Sequence, residues 1–225
     1  MPFPPGAGAG MVGAYRQGGA RMRGVIAIFA CLLLAQCALP SDKRFRVGDE
    51  RRSYVIIGVA EAPENTSPHY TMLWRRLDAD GNFMRYGGRR ILEISSQSGD
   101  NVQVPGIPGE FVLAEIPAGS YALDSVFALI ADGRVNYSAN GVVRGPERPS
   151  FDVRPGEAVY LGIWQVNLVD ARAVTQPWRL EQSDLDAVLH AADPVIGPVR
   201  IVEPQTRAVN CAPYRLNTVS QRQVC

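Results

Sequence analysis

The strongest constraint on the fold is a strand-turn-strand pattern that occurs twice in the second half of the chain. Phe111-Val-Leu-Ala-Glu-Ile116 runs into Pro117-Ala-Gly-Ser120, and Tyr121-Ala-Leu-Asp-Ser-Val-Phe127 leaves it. Further on, Ser150-Phe-Asp-Val153, Arg154-Pro-Gly-Glu157 and Ala158-Val-Tyr-Leu-Gly-Ile-Trp-Gln-Val166 repeat the arrangement. Proline presets one turn dihedral and glycine accepts the positive φ that closes a tight reversal. The run 158–166 is apolar on both faces, which predicts a central strand.

Upstream, Tyr54-Val-Ile-Ile-Gly-Val-Ala60 reads as a buried strand rich in β-branched residues. Tyr70–Leu77 and Phe83–Tyr86 flank Asp78-Ala-Asp-Gly-Asn82 and predict a hairpin, with another strand at Arg90–Ile94. Ser95 to Gly109 reads as a surface loop. A last strand is expected from Arg172–Thr175 and Trp178–Glu181, interrupted by Pro177. One short C-terminal helix follows, with Ser183 and Asp186 in capping-box relation and Leu185, Val188, Leu189 and Ala192 at helical spacing. It should end before Pro194 and lay its apolar face on an end or edge of the sheets. Strands at this density predict a mainly β protein, an antiparallel β-sandwich over residues 53–203. Residues 38–52 read as a linker and 204–225 as a polar C-terminal tail.

The leader is of another kind. Met22-Arg23 precedes Gly24-Val-Ile-Ala-Ile-Phe-Ala-Cys-Leu-Leu-Leu-Ala35, the positive start and apolar run of an export signal. A spanning helix needs about 20 apolar residues, so this stretch is too short to remain in a membrane. Residues 1–21 hold 13 Gly, Ala or Pro. They read either as a disordered extension or as sequence ahead of a true start at Met22.

Leu34-Ala35-Gln36-Cys37 resembles the lipoprotein box of bacterial envelope proteins, with Gln36 departing from the small residue usual there. That resemblance implies a signal peptide over 22–37, a lipidated Cys37 and, with Ala38 following, sorting to the outer membrane with the domain in the periplasm. The alternative is cleavage without lipid, giving a soluble periplasmic or secreted protein. Cys31 falls within the signal, leaving Cys211 and Cys225, 14 residues apart. In an oxidising compartment they are candidates for a disulfide, the alternative being two free thiols in a loose tail.

Composition matters mainly for what it excludes. The chain of 225 residues carries 23 basic and 22 acidic side chains, a formal charge of +1. Residues 1–37 contribute three arginines and no acid, so the remainder is slightly acidic. No basic run is interleaved with aromatics, and nucleic acid is not an expected partner.

Ile116-Pro-Ala-Gly-Ser-Tyr121 followed by Phe151-Asp-Val-Arg-Pro-Gly-Glu-Ala-Val-Tyr-Leu-Gly162 is similar to uncharacterised bacterial envelope lipoproteins with a prealbumin-like (transthyretin-like) β-sandwich. The resemblance covers about residues 110–166 and implies a fold and a compartment, with no catalytic residues to carry over.

Chemical motifs are few. Asp78, Asp80 and Asn82 suggest a calcium loop, but the sixth and twelfth positions of that loop are Phe83 and Arg89, so a hairpin turn is the better reading. His69 and His190 belong to no ligand pattern and are expected as surface or capping residues. No nucleophile elbow, phosphate loop or paired zinc motif appears, so no catalytic residue, metal or cofactor is assigned. Trp74, Trp164 and Trp178 remain. Trp178 and Trp74 are the candidate ligand-binding residues, because an exposed indole face can stack on a sugar ring. The expected partners are a membrane through the lipid anchor and an envelope protein or glycan.

Overall fold

The computed structural model describes residues 44–48, 51–61, 68–131, 136–143, 145–216 and 222–225. The leader, the lipoprotein box and Cys37 lie outside the described residues. The first strands are β1 (Phe45–Arg46), β2 (Ser53–Glu61), β3 (His69–Arg76), β4 (Ile91–Ser95), β5 (Glu110–Ile116), β6 (Gly119–Ala131), β7 (Asn136–Val142) and β8 (Glu147–Val153). Then come β9 (Ala158–Val169), β10 (Arg172–Arg179), helix α1 (Gln182–Ala192), β11 (Val195–Ile196), β12 (Val199–Ile201), β13 (Gln205–Ala208), β14 (Tyr214–Arg215) and β15 (Gln223–Val224).

Two sheets face each other. The first has the order β10-β9-β2-β5, with β12 also on β9; the second runs β13-β8-β6-β3-β4, with β7 also on β6. The protein is mainly β and sandwich-like, as the alternating runs predict. Pairing is not antiparallel throughout: β2 and β9 lie parallel, as do β12 and β9. Two strands entering from the same end of the sandwich must run the same way, and both β2 and β9 do so.

Period-two alternation divides the core. Val55, Ile57 and Val59 of β2 point between the sheets, while Tyr54, Ile56 and Ala60 point outward. β9 does the same, but its inward positions change from Val159 and Leu161 to Trp164 and Val166. Gly162 absorbs that change of phase with φ +75°, and a side chain there would collide with the Arg179 carbonyl oxygen. Thus β9 is apolar and buried on both faces from Ala158 to Trp164, in agreement with its central position, and turns polar on its outer face at Gln165 and Asn167.

Both Pro-Gly turns join one sheet to the other. β5 belongs to the first sheet and β6 to the second; β8 belongs to the second and β9 to the first. Between the sheets, Trp74 meets Trp164 edge-on at 5.1 Å and Phe151 at 5.3 Å.

Helix α1 covers the outer face of the first sheet, burying Leu185 and Val188 against Tyr54, Ile56, Tyr160 and Ile163. It lies on a face, not on an edge. The expected capping box does not form: Glu181 is the N-cap, and the Ser183 hydroxyl donates to the Glu181 carboxylate at 3.4 Å. Asp193 ends the helix in the left-handed region, with its N–H on the Leu189 carbonyl.

The flanks are part of the fold. Phe45–Arg46, expected as linker, pairs with Val195–Ile196. Gln205–Ala208, expected as tail, pairs antiparallel with β8 at the sheet edge. A polar strand can hold an edge because only its backbone needs a partner. The predicted hairpin around Asp78 is reduced to one bridge, Leu77 to Phe83, with the Asp78 carboxylate accepting from the N–H groups of Asp80 and Asn82. The main antiparallel partner of β3 on that side is β4.

Candidate functional site

The outer face of the second sheet carries what the inner faces do not: buried charge. β6 contains an extra residue opposite β3, since Leu73 pairs with Ser125 and Trp74 with Leu123. The residue left over is Asp124, fully buried. A bulge turns its side chain toward Arg75, which projects from the same face of β3. Arg75 Nε stands 3.0 Å from Asp124 Oδ2. The Cys225 N–H donates to Asp124 Oδ1 at 2.8 Å, and the Cys225 carbonyl oxygen accepts from Arg75. Burial pushes the Asp124 carboxyl above the ordinary range, against the opposing pull of Arg75 and the Cys225 N–H.

Arg148 completes this cluster for a backbone reason. β6 pairs with β8 as far as Ala122 and with β7 from Ser125, so the carbonyls of Leu123 and Asp124 fall in the gap. The Arg148 guanidinium donates to both, at 3.3 and 3.1 Å, and to the Val143 carbonyl at 2.8 Å. Phe83 lies beneath Arg75 and Arg148, 4.4 and 5.4 Å from ring centre to guanidinium carbon. Val224 is fully buried and packs with Leu73 and Phe127, so the C-terminal segment covers this face.

Cys211 and Cys225 stand at disulfide distance, S–S 2.00 Å and Cα–Cα 4.8 Å. The pair ties Cys211 to Cys225, whose backbone bonds the charged cluster. A cavity of about 570 Å³ opens beside them, lined by Arg148, Arg172, Asn210, Cys211 and Gln223 among others.

A second polar region lies at the end of the sandwich where the Pro-Gly turns are found. Two adjoining clefts of about 540 and 400 Å³ share Gly88, Arg89 and Pro117. Arg51 and Arg52 line the first, Arg76 and Arg90 the second. Among the described residues Glu115 is the one carboxylate on either wall, and it accepts from Arg52.

Among the residues singled out by sequence, Trp178 is 46% exposed on the edge strand β10, next to Pro177. Trp74 is not available to a ligand: it is fully buried in the inter-sheet aromatic cluster, a correction to its assignment as a binding residue. An even position in β3 points inward, where Trp164 and Phe151 wait. His69 and His190 are both exposed. The Arg75, Asp124 and Arg148 cluster was missed. Its signal was charge inside apolar strand runs, since a charged residue on a strand face that is otherwise buried requires a partner.

No protein family, curated protein or solved structure matches the chain. Fold and site together define its class as a mainly β, sandwich-like domain with an apolar helix over one outer face. The other face carries a buried ion pair under a segment tied by two cysteines.

Proposed function

We propose that this protein is a non-catalytic cell-envelope lipoprotein, anchored by lipid at Cys37 and acting through envelope or protein contacts. The observation that carries this reading is the ordered series of positive start, apolar run and Leu34-Ala35-Gln36-Cys37 ahead of a self-sufficient β domain. The cysteine pair at disulfide distance supports an oxidising compartment. In this reading the prealbumin-like domain faces the periplasm from the outer membrane. Metabolic labelling with an alkynyl palmitate tests it: wild type should take the label and Cys37→Ala should not. Equal labelling of the two defeats the anchor.

A second reading is a periplasmic or secreted module that binds glycan or peptide, and Trp178 favours it. An exposed indole on an edge strand offers an apolar face at low entropic cost. Envelope glycans should then shift the fluorescence of wild type but not of Trp178→Ala. A flat response across such glycans removes this reading.

A further inference from the structure

We infer that the two adjoining arginine clefts at the turn end of the sandwich bind a phosphate-bearing ligand. Three short segments supply the guanidinium groups: Arg51 and Arg52 ahead of β2, Arg76 at the end of β3, and Arg89 and Arg90 in the short 3-10 turn Gly88–Arg90 before β4. Arg52 is answered by Glu115 and Arg51 has an interaction of its own. That leaves Arg76, Arg89 and Arg90 as three like charges around the second cleft, where they repel one another and concentrate positive potential in a concave space. An anion relieves that repulsion.

Arg76 shows that the arrangement is built. Its side chain is half-buried and lies across Gly119, where a Cβ would sit 2.6 Å from Arg76 Nε. Gly119 has φ +147°, a conformation that favours glycine, so this backbone leaves the space that the guanidinium fills. Among the described residues no carboxylate pairs with Arg76, Arg89 or Arg90. A partly buried cation without a counter-charge is costly, and an oxyanion removes the cost.

The chemistry selects phosphate. A planar guanidinium fork matches two oxygens of a phosphate, and several forks around one space match its remaining oxygens. Ile91, Ile116 and Pro117 line the same clefts and offer an apolar floor to a carbon body attached to the phosphate. A cleft volume of some hundreds of Å³ suits such a group.

Position connects this site to the proposed anchor, and that connection rests on the lipoprotein reading. Residues 38–44 separate Cys37 from β1, and a segment of that length reaches at most about 25 Å. β1 joins the domain near this end, since the Gly48 N–H donates to the Gly156 carbonyl of the second Pro-Gly turn, so an anchor at Cys37 holds the domain within that reach of the leaflet. Two sources of phosphate are then within reach, a lipid headgroup and a soluble phosphate ester.

Full-length protein in non-ionic detergent, labelled with nitrogen-15 arginine, distinguishes them. The Nε–H resonances of Arg76 and Arg89 are followed while glycerol 3-phosphate is added. Parallel samples receive phosphatidylglycerol or phosphatidylcholine in the micelle, and sulfate at matched ionic strength is the control. Saturable shifts with phosphatidylglycerol identify the headgroup, and shifts with glycerol 3-phosphate alone identify a soluble ester. Arg76→Gln with Arg89→Gln should weaken binding about tenfold or more. Arg89→Gln with Arg90→Gln, both at exposed positions, should do the same without disturbing the near-ultraviolet spectrum of the buried tryptophans. No saturable shift with either phosphate, an equal response to sulfate, or unchanged affinity in both double variants overturns the proposal. Cys37→Ala should lose the palmitate label and keep the shifts, so failure of the anchor and failure of the clefts are read separately.

Discussion

The two outer faces of the sandwich solve one problem by opposite means. On the first sheet, α1 lays Leu185 and Val188 over Tyr160 and Ile163, so apolar surface is covered mainly by apolar surface, with an ion pair, buried Asp184 to part-exposed Arg179, at the start of the helix. On the second, Val224 and Cys225 lie over Leu73, Arg75 and Asp124, and the cover is held by backbone hydrogen bonds to that buried ion pair and by a cysteine pair. Apolar burial is non-directional and tolerates small displacement. A buried polar network has no such tolerance, because each unpartnered group costs its full desolvation. The helix-covered face should therefore lose stability in proportion to the volume removed, and the other should fail as a unit.

The largest effect expected is from Arg75→Ala, which leaves Asp124 charged and buried. The cost should be about 3–5 kcal/mol, read by urea unfolding at neutral pH. A loss under about 1 kcal/mol would show that water reaches the pair and would erase the contrast between the faces. Leu185→Ala should cost about 2–4 kcal/mol through transfer and cavity terms, leaving the native near-ultraviolet spectrum of the tryptophans. Reduction of the Cys211–Cys225 pair should cost about 3 kcal/mol in the chain-entropy model for a loop of this length. Hydrogen exchange sharpens this last comparison. On reduction, protection should fall first at Val224 and Cys225, while α1 keeps its own. Uniform loss over both faces would mean that the C-terminal cover is not a separate unit.

How much of this was legible in the sequence differs between the same two faces. The strands β2, β5, β6, β8 and β9 follow alternating or continuous apolar runs, and α1 follows its 3–4 spacing, because burial writes itself into side-chain type. The sandwich and the helix were therefore readable. The C-terminal cover was not. Gln205-Thr-Arg-Ala208 has a loop-like composition, yet its backbone completes a sheet edge; Val224 and Cys225 dock through partners contributed by distant strands. Arg75 and Arg76 make the limit concrete. They are adjacent and chemically identical, but pleating sends one beneath the C-terminal cover and the other across Gly119 at the open end. Deciding which was which required knowing the bulge at Asp124, and a bulge of one ordinary residue leaves no mark on composition. The tryptophans repeat the lesson: Trp178 beside a proline on an edge was readable as exposed, whereas the direction of Trp74 depended on register.

The smallest effect separates buried from exposed charge by its sign with pH. Glu157 accepts from Arg200 at the exposed rim, and that hydrogen bond holds its carboxyl below the ordinary 4.5. Its contribution is therefore present above that value and is lost as pH falls through it toward the depressed folded one. For a pair with Arg200 half-exposed, the contribution should be below about 1 kcal/mol. Asp124 is shifted the other way, above its ordinary 3.8, so the stability that it contributes is greatest below that value and declines as pH rises through the folded one. Urea midpoints of wild type, Glu157→Gln and Asp124→Asn across the acid range test both signs. The gap between wild type and Glu157→Gln should narrow as pH falls; the gap between wild type and Asp124→Asn should narrow as pH rises. If the second gap instead follows the first, the buried pair is stabilised by Arg75 more than it is penalised by burial. The polar cover would then gain from its charges as the exposed rim does, and the difference between the two faces would rest on the cysteine pair and the backbone alone.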